Sequence, residues 1–230
     1  ESEDISALIE EYRDQTPFHD QLPTMDPPVH TDHRALLMRL ITPVRLKQNE
    51  DYMWELAGKQ IDTFISAGEC EFMGAYAQPF AVLVVSDLLG VPPEDRIQFR
   101  KHLIRQEREG AGIGGTSGAV EHSPLTWLYD TFSAYIEDRR LNPTGDILTG
   151  LAQATFPDGS VPEPLDVARI AANLFAAGQE TTVRLLSYAF QVVGERPDLQ
   201  KRLREDRSLI PNFVEECLRI EGPVKGDFRL

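Results

Sequence analysis

The chain has 230 residues, enough to bury a core without disulfides or metals, and a formal net charge of -14 from 23 basic and 37 acidic residues. That acidity argues against nucleic acid as a partner, because phosphate binding needs a basic face. Two cysteines, Cys70 and Cys217, make no disulfide framework, Glu1-Ser2-Glu3-Asp4 is no signal-peptide n-region, and no apolar run reaches the ~18 residues of a membrane span. A cytoplasmic chain with no membrane anchor is the resulting expectation.

Helical periodicity dominates, and no alternating apolar run suggests a large sheet. The turn Asp26-Pro27-Pro28 opens a helix predicted over His30 to Val44. A second runs from Asn49, as N-cap, to Ala67, with Gly68 as its stop. Ala75 to Leu89 is nearly all apolar and ends at Gly90, so a buried helix is expected. Pro92 to Glu109 and Pro124 to Leu141 read as amphipathic helices flanking a glycine-rich connection. Asp146 to Ala154 is a short helix, and Pro162 to Val193 one long helix, apolar almost all round and therefore central. Two shorter helices follow, Asp198 to Arg204 and Leu209 to Ile220. Gly222-Pro223 breaks the pattern, and the tail to Leu230 reads as extended. A single domain over residues 1–230 is expected, since no repeat or linker divides it.

Three short patterns carry chemistry. The long helix reads Ala177-Gly178-Gln179-Glu180-Thr181-Thr182 at its middle. Small residues at Ala177 and Gly178 let something flat, or another helix, approach the backbone closely. Glu180 and Thr181 can pass protons along, and Thr181 can back-bond to the Ala177 carbonyl and bend the helix. Further on, Glu216 and Arg219 stand at i and i+3 on one helix face, either as a solvated pair or as part of a buried network. Near the start, His30 and Arg34 lie one turn apart and can both donate to a carboxylate. His33 with His30 raises a metal pair, but nothing like HExxH or a neighbouring cysteine supports zinc.

The order of these patterns resembles the cytochrome P-450 family of haem-thiolate monooxygenases, soluble bacterial type. That family carries a DPPxH turn before its C helix, an A-G-x-D/E-T-T signature on a long I helix, and an ExxR pair on its K helix. Here they stand as Asp26-Pro27-Pro28-Val29-His30, Ala177 to Thr182, and Glu216 to Arg219. Ser86 to Asp95 is similar to the stretch after the family's E helix, and Glu221-Gly222-Pro223-Val224 to the one after its K helix. The resemblance implies a mainly α, orthogonal multi-helix fold with little β. It implies haem b, iron protoporphyrin IX, with His30 and Arg34 on one propionate and Arg229 on the other. Ala177 and Gly178 would lie against the distal face, and Glu180 and Thr181 would manage the protons of dioxygen activation. Glu216 and Arg219 would be structural, and Leu174 and Phe175 would line a substrate pocket with the first loop and the lid region. The implied reaction hydroxylates a hydrophobic small molecule with O2 and two electrons from a ferredoxin and ferredoxin reductase-type donor. Arg39, Arg45 and Lys47 form a candidate docking patch for that donor.

The resemblance also implies departures. The family's axial cysteine sits in a loop beyond the ExxR helix, and neither Cys70 nor Cys217 has that context. No metal ligand is therefore expected in this segment, which would run from about the B helix to just after the K helix. It would lack the N-terminal sheet region and the cysteine-ligand loop. The alternative is a catalytically incompetent or haem-free helical small-molecule-binding protein of the same fold. Gly110 to Gly115 matches GxGxxG, but a charged helical stretch precedes it where a dinucleotide fingerprint needs a strand.

Overall fold

The computed structural model describes residues 7–8, 11, 21–108 and 125–226, and among them every regular element is helical. The glycine-rich match at 110–115 and Arg229 in the tail lie outside the described residues. Helix α1 is Val29–Leu40 and α2 is Pro43–Asp62. Periodicity carries the first helix to Val44 and opens the second at Asn49; the chain instead breaks at Ile41-Thr42. Thr42 closes the start of α2, its carbonyl accepting from the Leu46 N–H at 2.9 Å and its hydroxyl from the Arg45 N–H at 3.3 Å. Pro43 follows at the first helical position, where a missing N–H costs nothing. Asn49 is therefore inside a helix, buried, and donates to Asp87 Oδ2 at 3.2 Å.

A π-helical turn, Met73–Ala77, runs straight into α3, Gln78–Leu88. The Glu71 carboxylate caps that start, accepting from the N–H groups of Met73 at 2.9 Å and Gly74 at 2.7 Å. Gly90 ends α3 in the left-handed region, φ 74°, and the Val91 N–H reaches back to the Ser86 carbonyl at 2.8 Å. Then come α4, Arg96–Arg108, α5, Thr126–Leu141, and α6, Ile147–Ala152. Asp146 caps α6 by accepting from the Thr149 N–H at 2.7 Å. Helix α7, Pro164–Glu195, has 32 residues, or ~48 Å at 1.5 Å per residue. It is followed by α8, Pro197–Glu205, and α9, Ile210–Ile220.

Two compact units emerge, and α2, α3 and α7 each contribute to both. The first comprises residues 21–49 and 86–176. Its core is aromatic: Phe99, Phe132 and Phe175 are fully buried, with ring centroids 5.1–6.3 Å apart. Helix α5 is fastened to α6 by Arg139, whose Nε donates to Asp146 at 2.9 Å, and by Arg140, whose Nε donates to the Ala152 carbonyl at 3.2 Å. The second unit comprises residues 50–85 and 177–226. Its buried cluster is small, Ala77, Ala81 and Val183, with Phe72 and Leu186 packed against it. Outside that cluster Phe72, Tyr76 and Phe80 stack along α3 and its π turn, and Phe190 lies 4.5 Å from Phe72.

Candidate functional site

On α7, Ala177 is exposed and Thr181, one turn later, turns its hydroxyl back onto the Ala177 carbonyl at 2.6 Å. That bond gives the carbonyl a second donor beside the helix ladder, the arrangement that loosens or bends a helix. Gly178 is different. A Cβ there would lie 2.9 Å from Val85 Cγ2, so its missing side chain admits α3. The close approach expected at Gly178 is thus made by a valine of the same unit, and only Ala177 presents a small side chain on the open face. Glu180 is partly buried and paired with Arg184, and Arg184 Nη1 also donates to the Pro223 carbonyl at 3.2 Å. A guanidinium fork shared between a carboxylate and a carbonyl fixes the rotamer of both side chains. Thr181 and Glu180 therefore sit side by side in sequence but hold different partners.

Phe175 is 0% exposed in the aromatic core of the first unit, and no surface of it is open. It is a core residue rather than a pocket residue. Leu174 is partly buried. Among residues the sequence reading misses, Gln21, Tyr129 and Asn173 bond to one another: Asn173 Nδ2 donates to Gln21 Oε1 at 2.9 Å, and Gln21 Nε2 donates to the Tyr129 hydroxyl. The available signal was Asn173 itself, the sole polar side chain between Arg169 and Gln179.

Helix α1 carries His30 and Arg34 one turn apart, the first half-buried and the second exposed. The His30 N–H donates to the Asp26 carbonyl at 2.9 Å, so the Asp26-Pro27-Pro28 turn sets where this helix starts. His33 is engaged locally, its Nδ1 2.9 Å from the Val29 carbonyl and its ring 5.3 Å from that of Phe156. Arg39 donates to the Thr155 carbonyl at 3.3 Å, while Arg45 and Lys47 lie in the first turns of α2.

On α9 the Glu216–Arg219 pair forms as a fork, with Nε to Oε2 at 2.7 Å and Nη2 to Oε1 at 2.6 Å. Both side chains are more than half exposed, 53% and 69%. The hydrogen bonds from Arg219 hold the Glu216 carboxyl below its ordinary value. Cys217, between them, is turned inward, and burial, then the Glu216 charge, pushes its thiol up and away from reactivity. It borders a groove of about 340 Å³ in the second unit, lined by Tyr188, Val192, Leu203, Phe213 and Ile220 among others. Among the described residues no helix is long and apolar enough to cross a membrane.

No family model matches the chain. Curated proteins do. It is 30% identical over 213 residues to cytochrome P450 144 of Mycobacterium tuberculosis, covering 90% of this chain and 48% of that protein. It is 32% identical over 200 residues to the vitamin D(3) 25-hydroxylase of Pseudonocardia autotrophica, covering 87% and 48%. Among solved structures, substrate-free cytochrome P450 CYP150A6 of Mycobacterium marinum superposes with TM-score 0.84 at 54% identity, over 96% of this chain and 50% of that one. The chain spans about half the length of the curated relatives it matches.

Proposed function

Because the chain belongs to the bacterial cytochrome P450 family over the segment it spans, we propose that the whole protein is a haem b monooxygenase. It hydroxylates a hydrophobic small molecule with O2 and two electrons from a redox partner. The observation that carries this reading is the open face of α7, where Ala177 offers a single methyl group and Thr181 a hydroxyl one turn on. Haem, when bound, supplies the centre at which dioxygen is reduced and cleaved.

Two observations support the fit. A flat ring can approach α7 at Ala177, because the exposed side chain there is small. His30 and Arg34 put two donors one turn apart on α1, as a propionate needs. Arg229 is the proposed donor to the second propionate. Gly178 acts indirectly, by letting α3 pack against α7 through Val85. Thr181 holds a proton on Oγ1 that now goes to the Ala177 carbonyl, and a χ1 rotation frees it for the bound reactant. Glu180 is partly exposed, so its carboxylate can exchange protons with solvent while Arg184 holds it in place. Leu174 lines the apolar approach, and Glu216 and Arg219 brace the fold. Arg39, Arg45 and Lys47 steer an acidic ferredoxin-type donor, an attraction that weakens with salt.

The first test is the absorption spectrum of the whole protein, reduced and bound to carbon monoxide. The red-shifted band of a thiolate-ligated haem is expected, and its absence together with absent haem would remove the reading in favour of a haem-free binder. The second is Thr181→Ala, with product formed per reduced nicotinamide as the readout. Positioned proton transfer contributes roughly 10²–10⁴ in rate, so electrons should be diverted to hydrogen peroxide. Glu180→Gln should slow oxygen consumption with a smaller diversion. A Thr181→Ala enzyme as tightly coupled as its parent places the proton path elsewhere.

A further inference from the structure

The first loop, ahead of the Asp26-Pro27-Pro28 turn, and the stretch of α7 before Gly178 are among the regions expected to line the substrate pocket. Each contributes one polar side chain to a single network. Gln21 is 2% exposed, yet neither end of its amide is wasted: Oε1 accepts from Asn173 and Nε2 donates to Tyr129. Desolvating an amide is costly unless partners replace water, and here two other elements supply them. Thr24 Oγ1 donates to the Gln21 carbonyl at 2.8 Å, which fixes the backbone that presents the amide.

Asn173 is the open end of this network. It is only partly buried, and among the described residues its own carbonyl oxygen accepts no hydrogen bond. It stands four residues before Ala177 and eight before Thr181, so the three share one stripe of α7. Beside it on the helix the partly buried Leu174 and Ala176 and the exposed Ala177 are apolar, while Ala171, Ala172 and Phe175 are buried in the core. An apolar surface interrupted by one carboxamide, itself held in a fixed rotamer by Gln21, suits an apolar molecule that carries a polar handle. Among the described residues the Asn173 carbonyl oxygen and second N–H are both open, so the handle that suits them is a hydroxyl, which donates to the first and can accept from the second.

We propose that Asn173, positioned by Gln21 and Tyr129, is a specificity-determining residue that accepts a hydrogen bond from a hydroxyl group on an otherwise hydrophobic substrate. This rests on the monooxygenase reading, because only that reading makes the open side of α7 at Asn173 a substrate-facing surface. The substrate class it names is an alcohol built on a hydrocarbon skeleton, and an upstream reaction must therefore have installed that oxygen.

The test uses the whole haem-loaded protein and two matched probe pairs, 1-adamantanol with adamantane and 1-dodecanol with dodecane, with affinities measured by calorimetry. The parent should prefer each alcohol beyond its hydrocarbon, and Asn173→Leu should weaken alcohol binding about tenfold while leaving the hydrocarbon unchanged or tighter. Tyr129→Phe should lower the alcohol preference less, since it reaches Asn173 through Gln21. Asn173→Asp keeps an acceptor but loses the N–H that Gln21 receives, so it should retain only part of the preference. Equal affinity of the parent for alcohol and hydrocarbon, or an equal change for both in Asn173→Leu, would overturn the assignment. The network would then serve only to fasten the first segment to α7, and unfolding would show it as a lowered midpoint with unchanged discrimination. Calorimetry does not depend on turnover, and the haem spectrum is read separately. A protein with the expected spectrum but no alcohol preference sinks this inference alone, whereas a protein without haem sinks the reading beneath it.

Discussion

Phe175 and Phe190 stand on the same helix and meet opposite surroundings. The first is fully buried among Phe99 and Phe132, while the second is 51% exposed and leans on Phe72. The first unit is held by large rings, in which each residue loses its whole surface to water-free packing. The second is held at its centre by alanines and a valine, and at its edges by fully or partly solvated pairs: Glu180 with Arg184, Glu216 with Arg219, Glu221 with Lys225. The lesson is that one long apolar helix does not imply one kind of core. Volume carries the first unit; close backbone approach carries the second.

Truncating a ring should separate the two units most sharply. Phe132→Ala is expected to cost ~3–5 kcal/mol, as large-to-small core changes do, read as a fall in the denaturant midpoint of the whole protein. A cost under ~1 kcal/mol would mean the cluster can collapse and the contrast is false. Next in size is Gly178→Ala, where the new methyl meets Val85 Cγ2 at 2.9 Å; overpacking of this kind costs ~1–3 kcal/mol. Val85→Ala in the same background should recover part of it, a coupling that a double-mutant cycle measures. No recovery would show that something other than α3 crowds Gly178.

Asp146 comes third. Burial works against its charge, but the Thr149 N–H, then Arg139 and the hydroxyl of Thr149, more than offset it and leave its carboxyl below the ordinary aspartate value. A lowered folded-state value means its contribution is present above the ordinary aspartate range and is lost as pH falls through the lowered value. Asp146→Ala should cost ~1 kcal/mol as a lost helix cap, and it should flatten that part of the acid limb of stability against pH. An acid limb unchanged in the variant would assign that pH dependence to other carboxylates. The smallest effect is expected at Arg184→Ala, where an i,i+4 pair of which the arginine is 54% exposed contributes only ~0.3–0.5 kcal/mol. If it destabilised as strongly as the ring truncation, the second unit would depend on its solvated pairs after all.

Much of this was legible in the residues, for reasons that differ by element. Helix α7 declares itself through length and all-round apolarity, and its observed span, Pro164–Glu195, is the expected one moved two residues toward the C-terminus. The left-handed stop at Gly90 and the Asp146 cap follow from residue type alone. Residue type alone does not reveal the break between α1 and α2, because Asn49 is as good an N-cap as Thr42, and only Pro43 in the next position distinguishes them. The candidate site was legible as an ordered set of motifs, but the division of labour within it was not. Nothing in the letters Ala177-Gly178 says which of the two small residues faces a helix and which stays open. Gln21, Tyr129 and Asn173 are far apart in the chain, and spacing cannot report a network closed by tertiary structure.

Thr181 has one further consequence, for the shape of α7. While its hydroxyl rests on the Ala177 carbonyl, that oxygen serves two donors, an arrangement that weakens the ladder bond at this point. Whatever draws the hydroxyl away returns the carbonyl wholly to the ladder. The helix then works as a strain gauge: ¹³C at the Ala177 carbonyl should report, as a shift of its amide infrared band, the moment the hydroxyl changes partner.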